Sequence, residues 1–106
     1  EQRAPVKMIL LNNNYLGNVR QWQDMFFNHR RSFTKMLNPC YGQLAAAYGI
    51  CYEVVTDRAT LAAAVGRMLS TEGPFLLECA IKEDDNVLPM TPPGMSVSEM
   101  MLKIEC

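Results

Sequence analysis

Three short stretches of the chain are almost wholly apolar, and polar or amphipathic stretches separate them. They cover residues 6–11, 50–55 and 75–81, and the first ends in three consecutive asparagines. Apolar runs of this length, without strict alternation, are typical of parallel strands that are buried on both faces. We therefore predict three strands, with a polar cluster at the carboxyl end of the first.

A helical period follows the asparagines. Over residues 18–27 the apolar side chains recur at spacings of three and four, at Val19, Trp22, Met25 and Phe26. This spacing predicts an amphipathic helix, which normally turns its apolar stripe toward a core. Residues 28–37 are polar and basic without a clear period, and we predict a loop there.

Three more helices are predicted from their end signals. Asn38 as N-cap and Pro39 at the first helical position open the second helix, and Gly49 ends it. Thr56 or Asp57 caps the third, whose apolar positions are Ala59, Leu61, Ala62, Val65 and Leu69. After an extended, proline-rich stretch over residues 87–94, Ser96 caps the last helix, which contains Val97, Met100 and Met101.

The order of these elements predicts an α/β fold. Strands that alternate with helices form a parallel sheet with helices on both faces, which is a three-layer α/β/α arrangement. A length of 106 residues fits one domain or less, and we assign residues 1–106 to a single domain or a portion of one. The first strand has the composition of a central strand, so we expect its other neighbours upstream of this chain. Without them the sheet keeps an unpaired edge that invites association.

Composition narrows the classes of function. Hydrophobic residues make up 49% of the chain, which indicates surfaces that a partner covers, and the net charge is −1. A nucleic-acid-binding protein would carry a basic face, so we expect no nucleic acid as partner. No apolar run is long enough to span a membrane, and the first residues lack the apolar run of a signal peptide. We therefore expect a cytoplasmic protein without a membrane partner.

The cysteines do not form a metal-binding pattern. The four of them, Cys40, Cys51, Cys79 and Cys106, include no Cys-x-x-Cys pair, and the chain has a single histidine. A zinc site is therefore not expected. Because Cys51 and Cys79 fall within apolar runs, we expect small buried thiols that stay reduced rather than disulfides.

The asparagine cluster is the strongest candidate for chemistry. In open parallel sheets, ligands bind at the carboxyl ends of the strands, where Asn12, Asn13 and Asn14 precede Gly17 and a helix. An asparagine side-chain oxygen suits Mg²⁺, and a helix N-terminus stabilises phosphate oxygens. The residues alone leave a second interpretation open, in which the asparagines form an ordinary strand-to-helix turn and bind no ligand. Asparagine is common in strand-to-helix turns because it tolerates left-handed backbone and bonds to its own main chain.

A family resemblance favours the first interpretation. The run Asn12-Asn13-Asn14-Tyr15-Leu16-Gly17, followed by Val19-Arg20-Gln21-Trp22, resembles thiamine-diphosphate enzymes, in which an Asn pair closes a motif opened upstream by Gly-Asp-Gly. Among these enzymes it is most similar to the catalytic subunits of acetolactate (acetohydroxyacid) synthases, and residues 1–106 would be the C-terminal portion of their thiamine-diphosphate-binding domain. Later segments agree in the same order, namely Asn38-Pro39, Ala47-Tyr48-Gly49-Ile50, Gly73-Pro74 and Asn86-Val87-Leu88-Pro89-Met90.

The resemblance implies a role for the residues of this segment. Asn13 would coordinate Mg²⁺ through its side-chain oxygen, and Tyr15 would do so through its backbone carbonyl. Leu16 and Gly17 would lie against the diphosphate and thiazolium parts of the cofactor. The next residues, Asn18 and Val19, would also contact the cofactor, with the valine close to its reacting carbon. The family usually has methionine at the position of Asn18, so the packing against the cofactor ring differs here.

The resemblance also places Trp22 along the substrate channel. Without it, a core position on the inner face of the helix would be the ordinary interpretation. Arg20 could meet a substrate carboxylate or lie on a solvated helix face. His29, Arg30 and Arg31 form either a solvated basic run or, as the family implies, part of a segment that orders over the cofactor. The family usually has an aromatic residue at the position of Arg31, and an acidic one at that of Cys40.

The implied parent protein is a transferase of branched-chain amino-acid biosynthesis. It would decarboxylate pyruvate and join the hydroxyethyl unit to a second 2-ketoacid, using thiamine diphosphate, Mg²⁺ and an FAD bound outside this chain. We expect a homodimer or higher oligomer, and a regulatory subunit is a possible partner. Two alternatives stay open. One is a related carboligase, decarboxylase or pyruvate oxidase, and the other is a non-catalytic interaction module with the same fold.

Parts of the implied active site are absent from the printed sequence. The 106 residues contain no Gly-Asp-Gly triplet. In this family, the glutamate that activates the cofactor comes from another domain across a dimer interface. We therefore expect no catalytic residue in this chain and no activity from the chain in isolation, since the cofactor needs those groups to react.

Overall fold

The structure is a computed structural model that describes residues 4–104. The chain divides into two compact units. One comprises residues up to 14 together with 37–82, and the other comprises residues 15–36 together with the chain from 83 onward.

The first unit is built on a parallel sheet of three strands. These are β1 (Lys7–Asn12), β2 (Cys51–Val55) and β3 (Phe75–Ala80), and their order across the sheet is β1-β3-β2. Both pairings are parallel. All three predicted strands are therefore confirmed, with ends that differ from the predicted ones by one residue at most.

Helices cover both faces of this sheet. Helix α3 (Arg58–Ser70) packs on one face, where the buried core consists of Val55, Ala64, Met68, Phe75, Leu77 and Cys79. Helix α2 (Tyr41–Ala47) meets the opposite face, where a Cβ added to Gly42 would lie 3.0 Å from Cε1 of Tyr52. The predicted α/β class, with helices on either side of a short parallel sheet, is confirmed.

Helix α3 buries only some of its apolar positions. Asp57 caps it as expected, because its side chain accepts a hydrogen bond from the Ala59 amide at 3.0 Å. The buried side chains, however, are Ala64 and Met68, and Leu69 is exposed. Apolar residues, several of them alanines, are spread around most of this helix, so no single stripe stands out in the sequence. Packing on the sheet decides which side is buried.

Helix α2 begins two residues later than predicted. Cys40 occupies the N-cap position and Tyr41 is the first helical residue. Asn38 does not cap, because its side-chain amide donates instead to two asparagines of the first unit. The predicted end is confirmed. Gly49 adopts a φ of +66°, a left-handed conformation in which glycine has no steric penalty, just after the last helical turn.

Strand β3, not β1, is the central strand of the described sheet. β1 lies at one edge, and its side chains Ile9 and Leu11 are 55% and 64% exposed. The unpaired edge expected from the sequence is thus present within residues 4–104. Of the described cysteines, all free, only Cys79 is buried. The expectation of a buried thiol is confirmed for Cys79 and wrong for Cys51, because Cys51 opens the edge strand β2; Cys40 is exposed as well. Cys106 lies outside the described residues.

The second unit contains helix α1 (Gly17–Phe26), a loop over residues 27–36, and an irregular segment from residue 83 onward. The predicted last helix is wrong. Only one 3₁₀ turn forms, at Val97–Glu99, although Ser96 caps it as expected. Met101 instead pairs in extended conformation with Met90, by two backbone hydrogen bonds of 2.8 and 3.0 Å. No helix within residues 4–104 is both long and apolar enough to cross a membrane.

Candidate cofactor-binding segment

The three asparagines after β1 have different roles. Both the nitrogen and the oxygen of the Asn12 side-chain amide form hydrogen bonds within the first unit. Its Nδ2 donates to Oε1 of Glu78 at 2.7 Å, and its Oδ1 accepts from the Asn14 amide at 3.0 Å and from Nδ2 of Asn38 at 2.9 Å. An oxygen that already accepts two hydrogen bonds is a poor candidate for a metal ligand.

Asn14 is the turn residue. Its φ is +58°, in the left-handed region that asparagine tolerates, and its Oδ1 accepts from Nδ2 of Asn38 at 3.2 Å. The plainer interpretation of the cluster therefore holds for Asn12 and Asn14, which build and brace the turn. Asn13 lies between them, half-buried, directly after the end of β1. The two flanking asparagines fix the backbone from which its side chain projects.

A buried glutamate anchors this turn. Glu78 lies on the central strand β3 and is 9% exposed. Besides the bond from Asn12, its Oε2 accepts a hydrogen bond of 2.6 Å from the hydroxyl of Tyr52. Burial, followed by this bond to the carboxylate, raises the pKa of Tyr52 to about 12. The sequence motifs single out neither residue. The available signal was an acidic residue in the middle of an apolar strand, which requires buried partners.

In the second unit, Tyr15 and Leu16 lead into helix α1. Tyr15 forms an antiparallel bridge with Lys35, and the Leu16 amide donates to the Thr34 carbonyl at 2.8 Å. Leu16 is the N-cap residue, and its side chain makes no capping hydrogen bond. The first amides of a helix have no partner within the helix. The beginning of α1, at Gly17 and Asn18, therefore suits an anionic group such as a diphosphate.

Arg20 has partners within its own unit. Its guanidinium lies 4.4 Å from the centre of the Tyr15 ring, and Nη1 donates to the Glu83 carbonyl. A cation over an aromatic face is stabilised by the ring quadrupole. Arg20 is therefore more than a solvated helix-face residue, and it holds the residue that precedes the N-cap of α1.

The buried side of α1 is polar. Its two buried residues are Gln21 and Asp24, whereas the apolar residues Val19, Trp22 and Phe26 are exposed. The sequence predicted the opposite arrangement. Gln21 is buried because its amide pairs with a backbone segment. Nε2 donates to the Val87 carbonyl at 2.9 Å, and Oε1 accepts from the Val87 amide at 2.8 Å. Paired in this way, the amide loses little when it leaves water.

Asp24 is buried because Arg31 neutralises it. Nε and Nη2 of Arg31 donate to its two carboxylate oxygens at 2.7 and 2.8 Å, and Nδ1 of His29 lies 3.3 Å from Oδ1. The hydrogen bond from Arg31 is the main cause that lowers the pKa of Asp24, against the opposing effect of burial. The basic run is thus only partly solvated. Arg31 fastens the loop to α1 through these two hydrogen bonds.

Trp22 lines a groove rather than a core. Its side chain is 38% exposed and meets Phe26 edge-to-face, with ring centres 5.5 Å apart and planes at 76°. The groove measures about 400 Å³, and its lining is mostly apolar, from Trp22, Phe26, Phe27, Pro92, Pro93 and Met95. The core interpretation of Trp22 is therefore wrong. Its assignment to a substrate channel remains a prediction.

The described residues supply no complete carboxylate or thiolate metal site. Within residues 4–104, no three histidine, cysteine, aspartate or glutamate side chains come together as ligands. The oxygen donors of the segment are amide and carbonyl groups. Such donors fit Mg²⁺, which takes few protein ligands and several oxygens from water and phosphate.

Comparisons with known proteins agree with the segment. Residues 1–79 match the family described as "Thiamine pyrophosphate enzyme, C-terminal TPP binding domain", thiamine pyrophosphate being thiamine diphosphate. The acetolactate synthase isozyme 2 large subunit of Escherichia coli (strain K12) is 44% identical over 97% of this chain. The acetolactate synthase large subunit of Pyropia yezoensis is 36% identical over 95%, as is acetolactate synthase 1, chloroplastic, of Oryza sativa subsp. japonica.

The resemblance to acetolactate synthase catalytic subunits is confirmed by these relatives. The chain spans 19%, 18% and 17% of their respective lengths, so it corresponds to less than a fifth of each. The match of residues 1–79 covers well over half of the chain itself. The chain therefore belongs to the family of C-terminal thiamine pyrophosphate-binding domains of thiamine pyrophosphate enzymes.

Proposed function

We propose that this chain is part of an acetolactate synthase that depends on thiamine diphosphate and Mg²⁺. The reaction decarboxylates pyruvate and joins the hydroxyethyl unit to a second 2-ketoacid. One observation carries the proposal. In sequence, Asn13 stands between two asparagines that hold its turn, and the chain then runs into a helix whose N-cap side chain makes no hydrogen bond. The similarity to acetolactate synthase large subunits supports the choice of reaction.

The residues of the segment would share the work of binding. Asn13 would hold Mg²⁺ through its side-chain oxygen, and Tyr15 would do so through its backbone carbonyl. Leu16 and Gly17 would accept the diphosphate at the amide end of α1, where the helix dipole favours negative charge. Asn18 and Val19, both exposed, would lie against the cofactor rings. Thiamine diphosphate, once bound, supplies the electron sink for decarboxylation.

The groove beside Trp22 would form one wall of the substrate channel. Aromatic and proline side chains line it, with few polar groups. A wall of this kind excludes water, which strengthens the electrostatic interactions near a reacting carboxylate. Gln21 would act indirectly, because its two hydrogen bonds hold the backbone at Val87, in the same segment as the prolines of the groove. A short ketoacid such as pyruvate is small enough for this space.

The rest of the active site would lie outside the 106 residues. The aspartate of the Gly-Asp-Gly triplet, the activating glutamate and an FAD-binding domain are all expected in the parent protein. We extend the proposal to a homodimeric or larger cytoplasmic enzyme of branched-chain amino-acid biosynthesis, which a regulatory subunit could join. On this account the chain by itself has no acetolactate synthase activity.

Acetolactate formation tests the proposal. The full-length protein that contains this chain is incubated with pyruvate, thiamine diphosphate, Mg²⁺ and FAD, and acetolactate is measured with and without EDTA. We expect turnover that disappears with EDTA, and none from the 106-residue chain under the same conditions. Carboligation of glyoxylate, or oxidation of pyruvate to acetate, in place of acetolactate formation would assign the protein to a related enzyme. Absence of both turnover and cofactor binding would indicate an interaction module.

A further inference from the structure

A chain of hydrogen bonds, partly buried at Glu78, connects the middle of the sheet to the asparagine turn. Glu78 and Asn12 lie on neighbouring strands, with side chains on the same sheet face, and Tyr52 faces them from β2. The Glu78 carboxylate accepts from both neighbours, at 2.7 Å from Asn12 and 2.6 Å from Tyr52. A carboxylate buried in a sheet costs free energy unless hydrogen bonds replace its contacts with water. Asn12 and Tyr52 supply these bonds to Glu78.

The carboxylate determines which way the Asn12 amide points. Both Glu78 oxygens accept hydrogen bonds, so Asn12 turns the donating Nδ2 of its amide toward Glu78. Its Oδ1 then faces the turn, where it accepts from the Asn14 amide and from Asn38. If the Asn12 amide were reversed, two oxygens would face each other at Glu78 and the Asn14 amide would lose its acceptor.

Tyr52 fixes the other oxygen of the carboxylate. Its ring has little room to move, because Gly42 of α2 packs against it so closely that a Cβ there would lie 3.0 Å from Cε1. A hydroxyl held in this position donates to Oε2 and prevents the carboxylate from rotating. The hydroxyl can donate because it is protonated at neutral pH, and burial together with the bond to Glu78 raises its pKa further, to about 12.

We propose that Glu78 is a positioning residue for the metal site. Held by Tyr52, it orients Asn12, and Asn12 fixes the turn from which Asn13 presents its oxygen to Mg²⁺. This inference rests on the proposed function, because it assigns Asn13 to the metal. Glu78 itself does not contact the ion. Groups bonded directly to metal ligands commonly contribute about 10- to 100-fold to metal affinity, and Glu78 acts one residue further away, so an effect of about tenfold is expected.

The test compares Glu78→Gln with Glu53→Gln in the full-length protein. Glutamine keeps the size of the side chain, but it can turn either its oxygen or its nitrogen toward Asn12, so the single orientation is lost. Glu53 is a matched control, because it lies on β2 facing the opposite side of the sheet and pairs with Arg67 at the surface. Tyr52→Phe, which removes only the hydroxyl, serves if Glu78→Gln does not fold.

We expect Glu78→Gln to raise the Mg²⁺ concentration for half-maximal activity about tenfold, with kcat at saturating Mg²⁺ and KM for pyruvate unchanged. Tyr52→Phe should shift the Mg²⁺ requirement in the same direction by a smaller factor, and Glu53→Gln should not shift it. A second readout needs neither metal nor cofactor. Hydrogen exchange at the Asn14 amide of the apoprotein should be faster in Glu78→Gln than in Glu53→Gln.

Two results would overturn this role for Glu78. One is an unchanged Mg²⁺ requirement in both Glu78→Gln and Tyr52→Phe. The other is an Asn14 amide that exchanges equally fast in the two glutamine variants. Failure of the proposed function gives a different result, since the wild-type protein would then show no Mg²⁺-dependent acetolactate formation at all. That outcome removes the metal site and its positioning residue together.

Discussion

At the scale of single residues, the second unit is held by polar side chains rather than by apolar ones. Asp24 and Gln21 are the buried residues of α1. Each forms hydrogen bonds with a group beyond the end of the helix, Asp24 with Arg31 and Gln21 with the Val87 backbone. Arg31, which bonds both oxygens of Asp24, is 42% exposed. The loop over residues 27–36 thus depends on a charge pair of which one partner is buried and the other is partly solvated.

This pair predicts a dependence of stability on pH. Arg31 lowers the pKa of Asp24 below its ordinary value of 3.8, so the ionised carboxylate stabilises the fold above that value. The contribution is lost as the pH falls through the lowered pKa. Asp24→Asn should therefore reduce the free energy of unfolding at pH 7 by about 1–2 kcal/mol, a range that allows for screening at the exposed Arg31. Urea denaturation at pH 7 and pH 3 measures the effect.

The exposed Asp84 provides the control, since Asp84→Asn should leave the free energy of unfolding unchanged at both pH values. The difference between Asp24→Asn and the wild type should shrink toward pH 3 and below. Equal stability of the two aspartate variants at pH 7 would show that the pair with Arg31 contributes nothing.

The separate roles of neighbouring residues could not be predicted from the sequence. The sequence marks residues 12–14 as a candidate site but offers no reason, apart from the family resemblance, to separate three adjacent asparagines. Their roles depend on Glu78 and Asn38, which are 66 and 26 positions away from Asn12 along the chain. These hydrogen bonds form only when folding brings distant parts of the chain together, so the sequence does not show them.

At the scale of elements, buried strands were easier to predict than helix faces. The strands were identified because an apolar run between polar stretches has few alternatives. The apolar stripe of α1 was identified but assigned to the wrong side, since hydrogen-bonded Gln21 and Asp24 took the buried one. The last predicted helix failed because backbone pairing between Met90 and Met101 competes with helical bonds there.

The central strand β3 provides a test at this scale. Leu77 is fully buried between β1 and β2, whereas Leu69 of α3 is 66% exposed. Leu77→Ala should lower the free energy of unfolding by about 3 kcal/mol, because it leaves a cavity in the core. Leu69→Ala should cost under about 0.5 kcal/mol, as surface substitutions usually do. Urea denaturation of both variants decides whether β3 is the centre of the core, and similar losses would contradict it.

At the scale of the whole molecule, the chain leaves apolar strand surface uncovered. Ile9 and Leu11 point to the same sheet face as Leu77 and Cys79, their partners in register, yet more than half of each is exposed. Edge strands of this kind pair with further strands or with other chains. Each unit has its own buried residues, and each leaves some large apolar side chains exposed.

This surface predicts that the 106-residue chain associates with itself. Sedimentation velocity should show a weight-average sedimentation coefficient that rises with concentration. Ile9→Lys should weaken the rise, because a charge on the edge strand opposes strand-to-strand contact. Val97→Lys should not, since Val97 is even more exposed than Ile9 but lies in a 3₁₀ turn of the second unit. A wild-type chain that is monomeric throughout the range would contradict the prediction.

The most direct test of the central claim, that Asn13 belongs to a Mg²⁺ and thiamine diphosphate site, is the Mg²⁺ dependence of the full-length protein. Acetolactate formation from pyruvate is titrated with Mg²⁺ in the wild type, in Asn13→Ala and in Asn86→Ala, a control at an exposed asparagine. The account predicts that Asn13→Ala raises the half-saturating Mg²⁺ concentration by at least about tenfold, while Asn86→Ala matches the wild type. Superimposable titrations of the two variants would contradict it.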